Sequence, residues 1–367
     1  MKSKVLFLVQ LPPPIHGASV VNKSIQDSVA INNSFSTKFV NISPANDISD
    51  IGKISPRKIL AFLAILFRAI TSFIRFKPDL VYITLSPHGL AFFKDGLLAI
   101  LLKFFGGRLV FHLHGKGIRE ESRKSRIKHF FYKHVFKKAE VIHLAESLLP
   151  DIEPVRDRTI EPMVVANGIW PISDSYFLPK EEKFTFIYLS NLIRSKGADI
   201  LIRAASLIPE EFQDSFQVKI IGKKGDEAYF KEVMKLINHN PYGNISLLGA
   251  LYGKEKYEAL SASHVFVLPT RFKNECFPLS ILEAMAAGLA VISTNEGAIP
   301  EIITSGETGE VLVDCTPEEL AKAMIKHIKD SNYSNRCAQN SYREFTEKYT
   351  VQNFESNLIK ALEQASQ

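Results

Sequence analysis

Apolar residues along this chain fall into two alternating patterns. Short runs rich in Val, Ile, Leu and Phe end in polar or glycine-containing breaks, and longer segments follow whose apolar positions return every three to four residues. The first pattern fits buried strands and the second amphipathic helices. In the first half the strand runs are KVLFLVQ, KFVNIS, LVYITLS, RLVFHLHG, EVIHLAE and PMVVANG. Between them lie the helical segments GASVVNKSIQDSVAI, the stretch from Lys58 to Phe76, GLAFFKDGLLAILLKFF and SRIKHFFYKHVFKKA. The alternation restarts near Phe184 with FTFIYLS, FQVKIIG, ISLLGA, HVFVLPT, LAVISTN and GEVLVD, most of them followed by a helix. Such alternation predicts parallel sheets covered by helices. NGIWPISDSYFLPKEEK, between the two sets, has two prolines and no clear period and reads as a linker. The last segment, YTVQNFESNLIKALEQA, reads as one more amphipathic helix. The expected architecture is α/β, two similar halves with a cleft between them.

Length agrees with this division, since 367 residues exceed what one hydrophobic core usually spans. The 46% hydrophobic and 23% charged residues are those of a globular protein. Three scattered cysteines, Cys276, Cys315 and Cys337, argue against a disulfide framework or a metal cluster and for a reducing compartment. The start MKSKVLFLVQLPPP lacks a small-residue cleavage site and reads as a first strand, not a signal peptide. No run reaches the roughly 18 apolar residues of a membrane span; the nearest, Lys58 to Phe76, is interrupted by Arg68 and Arg75. The net charge of +6 is concentrated: Lys116 to Lys138 carries nine Lys/Arg against Glu120 and Glu121, a local +7, which leaves the rest at −1.

Ligands of open parallel sheets bind at the carboxyl ends of the strands, where the loops converge. In NECFPLSILEAMAAGLAV, Asn274 to Val291, one such loop places Glu275 just before a predicted helix and Glu283 inside it, beside Leu282, Ala284 and Met285. Pro278 suits the start of that helix and Gly288 can end it in a left-handed conformation. The helix start leaves backbone donors near Leu279, Ser280 and Ile281, a ready site for phosphate. Capping and the helix dipole, worth about 0.3–1 kcal/mol, account for a carboxylate in a first turn. They do not account for Glu283 among apolar neighbours, because a buried carboxylate needs donors. Sugar hydroxyls are good ones.

ECFPLSILEAMAAGLAVI, a glutamate, seven residues and a second glutamate, resembles the signature of family-four retaining glycosyltransferases. These are nucleotide-sugar enzymes of the GT-B fold, two Rossmann-like domains facing each other across a cleft. GAIPEIITSGETGEVLV, Gly297 to Val313, continues the likeness, which covers the C-terminal half more strongly than the N-terminal half. The resemblance implies that Glu275 holds hydroxyls of the donor sugar and Glu283 the ribose hydroxyls. Backbone amides at Leu279 and Ser280 would meet the diphosphate, with Cys276 and Phe277 also at the donor. It divides the chain into an acceptor-side domain, residues 1–170, to which the helix at about 348–367 returns, and a nucleotide-sugar-binding domain, residues 171–347.

In YLSNLIRSKGADILI the family shows a glycine, an arginine and then a Lys-Gly pair, whose cations grip the diphosphate. Lys196-Gly197 fits the pair. Asn191 stands in the arginine position, Ser190 replaces the glycine, and Arg194 is a candidate substitute. A cation at a helix start is unfavourable on its own account, since cations suit helix C-termini. In LVQLPPPIHGASVVN, Gly17 follows His16 and opens a helix, letting the backbone approach a ligand closely; the family's glycine-rich loop there contacts the donor phosphate and shapes the acceptor site. His114, at the end of RLVFHLHG, matches the family's histidine against the donor sugar, whereas His112 on the same strand face reads as structural. VVANGI resembles the segment before the linker. Gly222 and the loop Gly249–Gly253 stand where the family meets the sugar and the base.

The function so implied is transfer of a glycosyl unit from a nucleoside diphosphate sugar to an acceptor hydroxyl with retained anomeric configuration. Lys196 and the helix amides stabilise the leaving diphosphate, while Glu275 and His114 orient the sugar. No Asp-x-Asp pair and no Cys/His cluster with ligand spacing occurs, so neither a metal nor another cofactor is expected. No G-x-G-x-x-G follows a strand, which disfavours a nicotinamide cofactor. The basic run interleaves its cations with Phe130, Phe131, Tyr132 and Phe136 at helical spacing and carries no nucleic-acid motif. A solvated helix face is the ordinary meaning of such a run. An anionic membrane surface, at about 1 kcal/mol per cation, is preferred here because many family members act on lipid-linked acceptors. The expected protein is cytoplasmic and peripheral on the inner face of the cell membrane, with a glycan or lipid-linked acceptor in cell-surface polysaccharide or lipid-linked glycan synthesis. Two alternatives stand beside it: a glycoside hydrolase using Glu275 and Glu283 as its acid/base pair, and a catalytically silent GT-B protein that only binds at a membrane, which Asn191 keeps open.

Overall fold

The computed structural model describes residues 2–13, 15–43 and 56–367, so Pro14 of the proline-rich loop lies outside the described residues. All twelve apolar runs form strands. They are β1 (Lys4–Val9), β2 (Ser36–Asn41), β3 (Leu80–Thr84), β4 (Leu109–His112), β5 (Ala139–His143), β6 (Met163–Val164), β7 (Phe184–Leu189), β8 (Phe216–Ile221), β9 (Ile245–Gly249), β10 (Val265–Leu268), β11 (Ala290–Thr294) and β12 (Gly309–Leu312). The helices are α1 (Gly17–Asp27), α2 (Val29–Ser34), α3 (Pro56–Phe76), α4 (Gly89–Phe104), α5 (Ile118–Arg123), α6 (Arg126–Phe136), α7 (Ala198–Leu207), α8 (Glu210–Gln213), α9 (Glu227–Asn238), α10 (Gly253–Ser261), α11 (Leu279–Ala286), α12 (Ile299–Ile302), α13 (Pro317–Lys329), α14 (Ser331–Lys348) and α15 (Val351–Ser366). The chain forms two compact units, Met1–Asn167 with Gln352–Gln367, and Gly168–Val351.

Each unit holds one six-stranded sheet, in the orders β2-β1-β3-β4-β5-β6 and β12-β11-β10-β7-β8-β9. All their pairings are parallel. The central strands β3, β10 and β11 are buried at every residue, which is why they read as continuous apolar runs and not as alternation. In the first unit the crossover through α1 runs toward one edge and those through α3, α4 and α6 toward the other. Right-handed crossovers therefore put α3, α4 and α6 on one face and α1 on the opposite one. Ile65 and Ala69 of α3, Phe92 and Leu98 of α4 and Phe136 of α6 share one core with Leu8, Ile83 and Phe111 of the sheet. Phe92 stacks on Tyr132 with ring centroids 3.6 Å apart.

Three local features depart from the pattern read along the chain. The first helical segment breaks at Ser28, whose hydroxyl caps α2 by accepting from the Ile31 N–H at 3.1 Å. The basic run contains α5, which has no apolar period; the Asp151 carboxylate fixes its start by accepting from the N–H groups of Gly117, Ile118 and Arg119 at 2.9, 3.0 and 3.0 Å. The linker segment holds a short 3-10 turn, Asp174–Tyr176. At the C-terminus, α15 sits in the first unit, where the Arg108 guanidinium donates to the carbonyls of Ala365 and Ser366 at 2.7 and 3.2 Å. Among the described residues no helix is long and apolar enough to cross a membrane.

Sheet order also fixes where a ligand can enter. In the second unit β7, β8 and β9 follow one another outward, and β10 then returns to the other side of β7. The loops after β7 and β10 therefore diverge and leave a crevice at their carboxyl ends. The same reversal falls between β1 and β3 in the first unit.

Candidate functional site

The crevice between β7 and β10 is where Lys196 meets Glu275. Lys196 ends a 3-10 turn after β7, and Glu275 lies in the loop from β10 to α11. The Lys196 ammonium is 2.5 Å from one Glu275 oxygen, and the Thr270 hydroxyl donates to the same oxygen at 3.1 Å. Glu275 is buried, so these two donors compensate its lost hydration. Lys196 also lies over the Phe272 ring, 5.0 Å from its centre. The two loops are tied together by the Arg271 N–H, which donates to the Ser195 carbonyl at 2.7 Å. Only glycine allows this approach at position 197. Its φ is 76°, and a Cβ there would stand 2.1 Å from the Pro269 carbonyl oxygen.

Beyond Glu275 the chain enters α11, with Pro278 as its N-cap residue and Gly288, at φ 69°, just past its end. Of the three donors expected at the helix start, the Ile281 N–H is taken by the Pro278 carbonyl at 3.1 Å. The structure thus corrects that part of the expectation, because the first turn tightens onto its cap. Leu279 and Ser280 keep N–H groups that bond no other described residue. Glu283 shares a half-buried side of α11 with these two residues. It too meets a lysine of its own chain, the Lys256 ammonium on α10 at 2.7 Å. Burial works against the charge of Lys256, yet the Glu283 carboxylate holds its pKa above the ordinary range. Both unexplained glutamates therefore have protein cations as partners. Neither Lys256 nor Thr270 was singled out from the sequence.

The remaining positions separate. Cys276 and Phe277 are buried, and Phe277 meets the Tyr349 ring edge-on at 5.9 Å. Arg194 does not join Lys196: its guanidinium forks onto the Glu232 carboxylate of α9 and lies 5.2 Å from the Tyr229 ring centre. Asn191 is exposed, and its carbonyl accepts from the Ile193 N–H at 2.9 Å. Gly222 has a packing reason for its identity, because a Cβ would stand 2.1 Å from the Ser190 carbonyl oxygen. A cavity of about 470 Å³ opens at the ends of β10, β11 and β12, lined by Thr270, Arg271, Glu296, Asp314 and Cys315 among others. None of the sequence-selected residues lines it. Among the described residues no three His, Cys, Asp or Glu side chains are grouped to hold a metal ion.

In the first unit four histidines gather at the carboxyl ends of β1, β4 and β5. His16 caps α1, accepting from the Ser19 N–H at 3.4 Å, and at Gly17, which follows it, a Cβ would meet none of the described residues beyond its own neighbours and helix backbone within 4 Å. His114 lies two residues beyond the end of β4, its ring 4.1 Å from that of His112. His112 is held by the Tyr82 hydroxyl at 2.5 Å, whereas both His114 ring nitrogens are covered and bond no other described residue. His143 accepts from the Leu144 N–H at 2.9 Å through Nδ1, so its neutral form carries the proton on Nε2. Burial, reinforced by His16, pushes the His114 pKa down to about 3, and burial, reinforced by His114, does the same to His143.

Acid sensitivity follows. Below its ordinary pKa of 6.5 each of these rings takes a proton in the unfolded chain but not in the folded one. Stability is therefore full above pH 6.5 and falls as the pH drops toward the folded values, by about 1.4 kcal/mol per pH unit for each ring. Urea midpoints measured between about pH 7 and about pH 5 should fall steeply, and His143→Gln should flatten the slope. A pH-independent midpoint would contradict the buried neutral state.

With both sites described, comparison with known proteins decides the family. Residues 173–344 match the model described as glycosyl transferases group 1. That segment belongs to the family. The chain is 25% identical to an uncharacterized glycosyltransferase of Methanocaldococcus jannaschii over 283 residues, 75% of this chain and 74% of the other. It is 31% identical to a probable sucrose-phosphate synthase of Thermosipho melanesiensis over 221 residues, 58% of this chain but only 49% of that protein. In three dimensions it resembles the Anabaena protein HepE, solved in complex with UDP-glucose, with a TM-score of 0.72 at 19% identity over 98% of this chain and 99% of the other. Its fold is GT-B, and the glycoside hydrolase alternative falls with the family assignment.

Proposed function

We propose that this group 1 glycosyltransferase moves a sugar from a nucleoside diphosphate sugar to an acceptor hydroxyl and retains the anomeric configuration. The observation that carries the reading is the Lys196–Glu275 pair at 2.5 Å, seated at the switch point between β7 and β10 and just ahead of the α11 amides. A diphosphate arriving there takes Lys196 and the N–H groups of Leu279 and Ser280, which frees Glu275 to accept from the sugar hydroxyls. Cys276 and Phe277 form the loop that joins these two contacts. Glu283, paired with Lys256, accepts from the ribose, and Gly222 and the Gly249–Gly253 loop border sugar and base. In the first unit, neutral His114, whose ring nitrogens bond no other described residue, is the candidate to contact a sugar hydroxyl, with Gly17 at the same end of the sheet. The C1–O bond to the diphosphate breaks as the acceptor oxygen bonds C1 from the same face, and a phosphate oxygen takes the acceptor proton. Lys196 and the α11 amides meet the charge that develops. Arg194 serves by holding α9, and Asn191 leaves Lys196 the principal cation.

The acceptor is a glycan or lipid-linked glycan at a membrane surface, and no metal takes part. UDP-glucose bound to HepE supports a uridine diphosphate sugar as the first donor to try. Nucleotide sugars at a hundredfold excess over Kd should stabilise the fold by about 2.7 kcal/mol, readable as a rise in melting temperature. If no UDP-, GDP- or ADP-sugar raises it, the donor reading fails and a silent GT-B protein remains.

A further inference from the structure

We infer that the outer side of the α3–α4–α6 layer is a docking face for an anionic lipid bilayer, with the groove between β2 and α3 taking a lipid headgroup phosphate. The inference rests on the membrane partner proposed above but not on the donor. Along α3, Leu60, Leu63, Phe67 and Ile74 recur at spacings of three, four and seven residues, one stripe of the helix, and all are exposed. Ile65 and Ala69 fill the core side of the same helix, so α3 is apolar on two sides. On α4, Leu97 and the 83% exposed Phe104 repeat the pattern seven residues apart, and on α6 Ile127 and Phe130 are 83% and 73% exposed. A folded soluble surface rarely gathers so many large apolar side chains on one helical layer.

Charge selects the occupant. The spans of α3, α4 and α6 contain nine Lys/Arg and a single acid, Asp95, which is fully buried and ion-paired with Lys94 at 2.5 Å. Lys103 is engaged by the Val135 and Lys137 carbonyls and Lys128 by Glu121, which leaves six cations for the surface. A second copy of this chain would press like charges together, whereas an anionic headgroup plane matches them at about 1 kcal/mol per cation. Beside Phe67 a groove of about 350 Å³ lies between the edge strand β2 and α3, lined by Lys38, Asn41, Arg68 and Thr71 among others. Arg68 spans it loosely, donating to the Asn41 carbonyl at 3.4 Å. Two cations and a hydroxyl next to an exposed phenylalanine suit a phosphate at the bilayer surface with an apolar side chain below it. None of these helices is long and apolar enough to span a bilayer, so the layer lies on the membrane. The basic run thereby gains a role smaller than the sequence suggested: it borders an apolar face centred on α3.

The test is flotation of the full chain with vesicles of phosphatidylcholine alone or mixed with phosphatidylglycerol. Binding is expected only to the mixed vesicles, falling at least tenfold for Phe67→Glu and for Leu63→Glu and about fivefold for Arg68→Gln. The rise in melting temperature with nucleotide sugar stays unchanged in all three, which separates failure of this face from failure of the donor reading. Should Phe67→Glu not fold, Phe67→Trp in a Trp170→Phe background should shift its emission to the blue with mixed vesicles. Three outcomes overturn the inference: no binding by the unaltered chain, equal binding by Phe67→Glu, or a dimer in solution that Phe67→Glu dissociates.

Discussion

Replacing Lys196 by methionine should lower kcat/KM for sugar transfer about 100- to 1,000-fold, the usual cost of one preorganised charge at a developing anion. Methionine keeps most of the side chain's volume and its contact with the Phe272 ring but removes the only ammonium at the β7–β10 crevice that touches Glu275 among the described residues. The change has a second consequence. Glu275 keeps only the Thr270 hydroxyl, so the variant loses stability as well, by about 3 kcal/mol or less. Steady-state rates with UDP-glucose, or whichever donor raises the melting temperature, would measure the first effect and urea unfolding the second. A variant that folds and retains kcat/KM within about threefold of the parent would remove Lys196 from the mechanism.

Gly197→Ala should be the most damaging single methyl group in the second unit's site. Its Cβ meets a carbonyl oxygen of another loop at 2.1 Å, not a yielding side-chain tip, and the φ of 76° adds strain for any other residue. Left-handed backbone costs about 1–2 kcal/mol, and relieving the clash must break the Arg271–Ser195 bond that ties the two loops. A total of about 3 kcal/mol is expected, lowering the melting temperature of a unit this size by roughly 6–12 °C. Activity should fall with it, because Lys196 is the preceding residue. Gly17→Ala provides the contrast. Among the described residues none outside its own helix backbone and chain neighbours crowds its Cβ, and alanine is the better helix former by up to about 1 kcal/mol, so stability should hold or rise. Transfer should nevertheless drop if that space receives substrate. If Gly197→Ala melts like the parent, the close approach of the two loops is wrong.

Much of this molecule was legible in the chain itself. Runs such as LVYIT and VFVL, short and rich in β-branched and aromatic residues, read as doubly covered strands, and the end of α11 at Gly288 was readable because a left-handed residue there needs no distant partner. The placement of Glu275 ahead of a helix start was readable for the same reason. Segments whose shape depends on remote groups were less legible. The run IREESR shows no apolar period, and it is helical because Asp151, more than thirty residues on, caps it. Arg194 looked like a phosphate ligand from its spacing, yet Glu232, 38 residues away, claims it.

The chain alone determined that strands and helices alternate, where each loop of interest begins, and that two carboxylates sit among apolar neighbours, since each of these follows from interactions within a few residues. Which cation answers which carboxylate was decided only by the tertiary structure. Lys196 and Glu275 are 79 residues apart, and Lys256 and Glu283 are 27. The first pair meets because β10 returns beside β7. Strand order in a parallel sheet is set by how whole helices cover its faces, a global packing choice that no spacing along the chain encodes.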